Sequence, residues 1–491
     1  MKKWLSFAIV IFFFASLWIL PTSSTAVKGD LNNDGSLDLN DALFGLQVLA
    51  GMRNDNTITP SFVMINLGDS LTNGTQSGLK NVHEPTQRNG FVQLLANQLQ
   101  TRVALTWSNP YLVKDQNARK RRKKNDEIPY NLGVDSATIF NLMSEKTGTG
   151  NDLLDLLMSP IPQRKKMPVS QLEAALYVAS LHPQKNILFT LWTGNNDVLW
   201  SVINNYGTEI TIDKIKAYLN DKNARHDLDS VKANLSQVVN QLKAVPNSHI
   251  FIGTLPYMTR PAFFFGKADI ERLAQFPNPN ITALNNNESI GFGPFLELAK
   301  AGIFNAKSSN DRANAAISQL TDPHILSPNE IAIVDARIDA INKHIQSMSV
   351  PGKVTVVNTF EIFKSVYDNT LEINGHKIYK TFGCGGFSFD AFHPSNTTHA
   401  YLANAFIEKI NESLNLGVPL VDVQAIFKND PYQDRDGDHF SPGPGIDIIG
   451  SETISLFDCD DSTKDIIAPY ISGILCPTKK IICIYLGMLE K

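Results

Sequence analysis

Phe62-Val63-Met64-Ile65-Asn66-Leu67-Gly68-Asp69-Ser70-Leu71 is the stretch from which the fold is read. Its opening run is apolar without alternation, the pattern of a strand buried on both faces rather than one bordering water. Gly68-Asp69-Ser70 breaks the strand, and residues 90–99 follow with helical periodicity. The alternation recurs along the chain. Residues 103–105, 186–192, 249–254 and 354–357 read as strands, and 170–181, 228–244 and 397–411 as helices. Strands alternating with helices predict an α/β fold with a parallel sheet covered by helices on both faces. Sites in such folds sit at the C-terminal ends of the strands.

The chain has 491 residues and a formal charge of −4. Its first 26 residues read as an export signal. Lys2 and Lys3 precede an uncharged apolar run from Trp4 to Leu20, and Ser24 and Ala26 fit the small-residue rule for cleavage. An uncleaved membrane anchor is the alternative, because the run is long for a signal. Cleavage would remove two lysines and no acids, taking the charge to −6. That balance argues against nucleic acid as a partner. No later run is long and apolar enough for a stable membrane span, so the expected product is secreted, periplasmic or held at the cell surface. Cys384, Cys459, Cys476 and Cys483 are too few for a disulfide scaffold, and their pairing is open.

Two acidic segments flank the α/β region. In residues 27–56, Asp30, Asn32, Asp34, Ser36, Asp38 and Asp41 fall at the spacing of an EF-hand calcium loop, with Gly35 at its sixth position. Residues 42–51 then read as a short helix. Loop and exit helix together resemble one dockerin repeat. A dockerin carries two, so a cohesin-type partner is not expected, and a structural calcium staple is. In residues 425–475, Asp434, Asp436 and Asp438 precede Asp458, Asp460 and Asp461. Carboxylates crowded without basic partners repel unless a hard cation sits among them, which makes calcium the expected ion and a merely acidic tail the alternative. The apolar stretch 479–491 has no account from sequence.

Within residues 61–414 three short words carry chemistry: Gly68-Asp69-Ser70-Leu71, Gly194-Asn195-Asn196-Asp197 and Asp390-Ala391-Phe392-His393. A serine hydroxyl is a poor nucleophile without an adjacent base, and His393 is the candidate base. Asp390 precedes it by three residues, which on one helical turn puts both side chains on a shared face. His399, by the same spacing, turns away and is expected at the surface. Two insertions interrupt the pattern. The basic run 119–124 reads as a solvated loop, with binding of an anionic surface as the alternative. Residues 256–328, with Phe263-Phe264-Phe265, read either as an apolar lid or as surface decoration.

These words resemble the blocks of an SGNH (GDSL-type) hydrolase of the longer bacterial branch. The likeness covers Ile65 to Gly74, Leu191 to Leu199 and Phe389 to Ser395, and extends to Leu326-Ser327-Pro328-Asn329-Glu330 and the helix through Ile341-Asn342. It implies a flavodoxin-like three-layer α/β/α fold. By position it implies Ser70 as nucleophile, His393 as base and Asp390 as its orienting acid. Asn196 and the backbone N–H of Ser70 would donate to an oxyanion. One block departs: where the family has a glycine donor, the aligned residue is Ser136, and a shift of three residues would make Gly133 the donor instead. Losing one such donor costs about 2.7–4 kcal/mol of transition-state stabilisation.

The resemblance therefore implies an exported esterase or lipase-like enzyme that cleaves carboxylic esters through an acyl-enzyme, with no cofactor in the chemical step. Its substrate would be an ester of a lipid or an acylated carbohydrate. A polysaccharide acetylesterase is the alternative enzyme. A non-catalytic, calcium-stabilised binding protein on the same scaffold is the alternative class.

Overall fold

The computed structural model describes residues 39–49, 60–76, 84–114, 120–203, 210–274, 280–300, 310–380, 385–388, 390–433, 446–447, 452–458 and 482–488. Residues 1–60 and 61–491 form two separate units. Of the first, a single helix, Leu39–Leu49, is described.

The second unit is built on five parallel strands: β1 (Ser61–Gly68), β2 (Ala104–Thr106), β3 (Asn186–Trp192), β4 (Ser248–Gly253) and β5 (Val354–Val357). Their spatial order is β5-β4-β3-β1-β2. This is the flavodoxin-like order, and the chain reverses direction across the sheet between β1 and β3. The register pairs Gly68 with Trp192, so both strands end at the same level. β1 is buried from Phe62 onward, as its unbroken apolar run requires. At Gly68 an added Cβ would lie 2.2 Å from the Trp192 carbonyl oxygen, so only glycine allows the strands to end so close together.

Helices pack against both faces of the sheet. One group is α2 (Phe91–Leu99), α8 (Thr359–Tyr367) and α9 (Asn396–Leu414); the other is α3 (Ile139–Ser144), α4 (Gln171–Ser180), α6 (Leu228–Lys243) and α7 (Pro328–Ser347), with α5 (Ile212–Leu219) against α7. Sequence signals explain their starts. Ser170 and Ser327 head α4 and α7 as capping boxes with Glu173 and Glu330. On α7, Asn342 accepts from the Leu255 N–H at 2.7 Å and donates to its carbonyl at 2.8 Å, pinning the chain leaving β4.

The basic insertion differs from its expectation. Lys120–Arg122 is a strand paired antiparallel with Leu112–Lys114 rather than a wholly solvated loop. The Arg122 side chain is buried, donates to the Glu127 carbonyl, and has its pKa drawn down by burial to about 10. The described part of residues 256–328 is packed rather than surface decoration, which leaves the apolar-lid alternative. Phe265–Gly266, Ser289–Ile290 and Ile325–Leu326 form a small antiparallel sheet, and Phe263, Phe264, Phe265, Phe292 and Phe295 are buried against one another.

The second unit also continues past residue 414. The segment ending at Asp430, Tyr432 and Gln433 is buried against it, so 425–433 does not belong to a separate acidic tail. Beyond that point three antiparallel strands are described, Ile446–Asp447, Glu452–Asp458 and Ile482–Met488. The unexplained apolar stretch 479–491 thus contributes a strand. The expected calcium ligands Asp30, Asn32, Asp34, Ser36, Asp38, Asp434, Asp436, Asp438, Asp460 and Asp461 lie outside the described residues, as do the signal stretch, Cys384, Cys459 and Cys476. Asp41 and Asp458 are placed only as backbone, in a helix and a strand. Among the described residues no helix is long and apolar enough to cross a membrane.

Candidate active site

Ser70 stands one residue beyond the sheet. Asp69 caps the short helix α1 (Ser70–Asn73): its Oδ1 accepts from the Leu71 N–H at 3.0 Å. Its Oδ2 accepts from Asn195 Nδ2 at 2.8 Å, tying the end of β1 to the turn that follows β3. Gln171 of α4 holds Gly68 on both sides, accepting from its N–H at 2.8 Å and donating to its carbonyl at 2.9 Å. Ser70 therefore sits on a turn fixed from three directions.

His393 reaches this turn from the loop entering α9. Its Nε2 lies 2.8 Å from Ser70 Oγ, and its Nδ1 lies 2.6 Å from Asp390 Oδ2. The two residues do not share a helical turn, as their spacing suggested. Ala391 between them has φ +64°, and the chain folds back there. Asp390 organises that bend by accepting, on Oδ1, from Ser388 Oγ and from the N–H groups of Phe392 and His393, at 2.9–3.0 Å. Phe263 braces it from outside, donating its N–H to the Ala391 carbonyl at 3.0 Å and stacking on Phe392.

The electrostatics follow from burial and partners. Burial opposes ionisation of Asp390, but the adjacent imidazole and the hydrogen bonds outweigh it, and its carboxyl is held below the ordinary range. Burial likewise opposes the His393 imidazolium. The charge and hydrogen bond of Asp390, with Asp135 and Asp69 further off, win there too, and its pKa is raised. Asp69 and Asp197, buried with weaker compensation, are pushed up to about 6 and about 7.

Every residue of Asn195-Asn196-Asp197 is engaged. Asn195 holds Asp69, and Asp197 accepts from the Ile139 N–H at 3.0 Å. Asn196 donates one amide N–H to the Ala137 carbonyl at 3.1 Å and lines the cavity in front of Ser70. Ser136 lines the same cavity. Gly133 does not: a Cβ there would meet Asn73 N at 2.6 Å, and its own N–H is taken by Asn131 Oδ1 at 3.2 Å. Of the two sequence alternatives, the structure places Ser136 at the cavity, in a left-handed conformation (φ +64°) that suits glycine. The cavity measures about 460 Å³, and beyond the polar cluster its walls include Leu199, Trp200, Ile203, Met258, Phe263 and Phe392.

His399 departs from expectation. It is fully buried on the inner face of α9, accepts from the Phe91 N–H at 3.3 Å, and burial lowers its pKa to about 3. It is a neutral core histidine. Sequence reasoning also missed Gln171 and Ser388, neither of which belongs to a recognisable word. Gln171 carries the one signal available, a polar residue in the first turn of a helix that packs on β1.

A serine, histidine and carboxylate in hydrogen-bonded series at the switch point of a doubly wound sheet define a class, the serine hydrolases with that triad. The family is narrower. The model of the GDSL-like lipases/acylhydrolases matches residues 64–406, and the chain belongs to that family. No curated protein matches it. Solved structures overlay it loosely. A lipase from a goat rumen metagenome is 14% identical, over 74% of this chain and 100% of its own, with a TM-score of 0.32. A phospholipase A1 from Streptomyces albidoflavus is 13% identical, over 72% and 99%, at 0.31. An extracellular lipase from Streptomyces rimosus is 12% identical, over 72% and 100%, at 0.29. Overlays this loose carry no part of the functional reading.

The left-handed backbone at Ser136 leads to a direct test. An L-residue there costs about 1–2 kcal/mol, whereas glycine costs about 0.5–1 kcal/mol in chain entropy. Ser136→Gly should therefore raise stability by about 0.5–1 kcal/mol in urea unfolding. A loss of stability would show that the serine side chain makes a contact that outweighs its backbone strain.

Proposed function

We propose that this protein is an exported serine esterase that hydrolyses carboxylic esters bearing an apolar acyl chain, through a covalent acyl-enzyme. The observation that carries the reading is the unbroken series Asp390–His393–Ser70, at 2.6 and 2.8 Å, opening into a cavity with a largely apolar wall. An acetyl group would leave that wall uncovered. A chain of eight or more carbons would bury methylenes against it, each worth about 0.8 kcal/mol.

In this reading Ser70 Oγ attacks the ester carbonyl carbon while His393 Nε2 takes its proton. Asp390 accepts the hydrogen bond of His393 Nδ1–H, fixing the tautomer and stabilising the imidazolium. Negative charge gathers on the carbonyl oxygen. The side-chain amide of Asn196 and the backbone N–H groups of Ser70 and Ser136 are the donors assigned to it. Collapse of the tetrahedral intermediate breaks the ester C–O bond, and His393 protonates the departing alcohol. Water then attacks the acyl-serine with His393 as base, releasing the acid and restoring Ser70.

Structural calcium in residues 27–56 and in the acidic segment beyond residue 433 remains part of the proposal. It rests on oxygen-ligand spacing alone and takes no part in the chemical step.

Three outcomes are expected. A fluorophosphonate probe should label the wild type at Ser70 and leave Ser70→Ala unlabelled, with p-nitrophenyl octanoate cleaved faster than the acetate. Failure to label folded protein would favour a binding protein, and a preference for acetate would favour an acetylesterase. Because His393 must be neutral to accept the proton and its pKa is raised, kcat/KM should climb with pH through a midpoint above 6.5. A midpoint below that value would contradict the assigned pairing with Asp390. Chelation with EDTA should lower Tm, and calcium should restore it; an unchanged Tm would remove calcium from the account.

A further inference from the structure

The loop that carries Asp390 and His393 lies outside the five-stranded sheet and is closed on itself by an antiparallel bridge between Phe387 and Pro394, with the Ser388 N–H donating to the His393 carbonyl at 2.7 Å. Ala391 at its centre is in a left-handed conformation, and the loop ends where Ser395 caps α9. Both ends nevertheless meet one buried corner of the chain, some forty residues downstream of His393. Gln433 Nε2 donates to the Gly385 carbonyl at 2.8 Å, at the loop's start. Asp430 Oδ2 accepts from the N–H and the hydroxyl of Thr397, both at 2.7 Å, at the loop's end. Gln433 Nε2 also donates to Asp430 Oδ2 at 2.9 Å, so the two anchors form one unit. Asp430 and Gln433 are essentially inaccessible to solvent, as are Ser395 and Thr397.

We propose that Asp430 and Gln433 are positioning residues that hold the Asp390–His393 loop at the distance from which His393 Nε2 reaches Ser70. The inference rests on the esterase reading of that site. Its physical basis is a difference in how the two partners are held. Ser70 is fixed by the sheet through β1, whereas His393 stands on a loop outside the sheet that is closed on itself and docked through its ends and through Phe263. At 2.8 Å the Ser70–His393 contact leaves little slack. A displacement of about 1 Å would take it outside hydrogen-bond range and can cost about a hundredfold in rate.

Capping is the competing role for these residues. Thr397 is the second residue of α9, and a carboxylate there satisfies a free helix N–H and faces the positive end of the helix. A cap alone would give stability and no more. Positioning predicts a loss of kcat in protein that is still folded.

The experiment uses the full chain with Gln433→Leu and Asp430→Asn. Leu242→Ala serves as the control, a core truncation on α6 remote from the loop. Expected for the first two, well below their Tm, is a fall in kcat on p-nitrophenyl octanoate of at least about tenfold with KM changed by less than about twofold. The rate of fluorophosphonate labelling at Ser70 should fall in parallel. The pH midpoint of kcat/KM should stay in place, because Asp390 and His393 move together and their pairing survives. Leu242→Ala should lose Tm and keep kcat. A lowered Tm with unchanged kcat and labelling in Gln433→Leu and Asp430→Asn would reduce both residues to caps and overturn the inference. If neither folds, Thr397→Val decides: it removes only the hydroxyl donor, and a fall in kcat supports positioning while unchanged kcat overturns it. A wild type that takes no label would instead overturn the esterase reading, a separately visible result.

Discussion

The contact between His393 Nε2 and Ser70 Oγ, across 323 residues of chain, is the constraint to which the rest of the site answers. It requires the ends of β1 and β3 to stand level, which the pairing of Gly68 with Trp192 provides. It requires Ser70 to begin a helix rather than continue a strand, which the Asp69 cap provides. It also requires a loop outside the sheet to be braced, by Phe263 on one side and by Asp430 and Gln433 on the other. The sheet supplies one partner directly. The other depends on pieces drawn from an insertion and from the far end of the unit.

Charge is distributed with the same selectivity. Asp69, Asp135, Asp197 and Asp390 are all buried near the site, yet only Asp390 is held below the ordinary carboxylate range. The other three are pushed upward by burial, which favours their neutral form. Asp390 is distinguished by three hydrogen bonds to one oxygen and an imidazole on the other. The anion best matched to a histidinium is thus the one that touches His393.

Much of this was legible in the residues. Apolar runs located β1, β3 and β4, because strands buried on both faces have little polar alternation to blur them; β5 is a half-buried edge strand read from its valines. Gly-Asp-Ser and Gly-Asn-Asn-Asp were legible because a turn with demanding backbone geometry restricts its residue types. Reading Asp390 and His393 as one helical turn gave the right pair by the wrong geometry, since spacing carries no record of the bend at Ala391. His399 was misplaced because one residue cannot reveal which face of α9 turns inward. Gln171, Asp430 and Gln433 were invisible for a different reason. Each acts through a contact made by tertiary folding, and nothing in its immediate neighbours encodes that contact.

The most direct test is the structure of the protein after reaction with a phosphonate ester bearing an octyl chain. Phosphorus should be bonded to Ser70 Oγ. The phosphoryl oxygen should lie within hydrogen-bond reach of the Asn196 amide and of the Ser70 and Ser136 N–H groups, with the alkyl chain along the wall formed by Leu199, Ile203 and Phe263. An adduct on another residue, or an oxygen directed away from Asn196 and Ser136, would contradict the account.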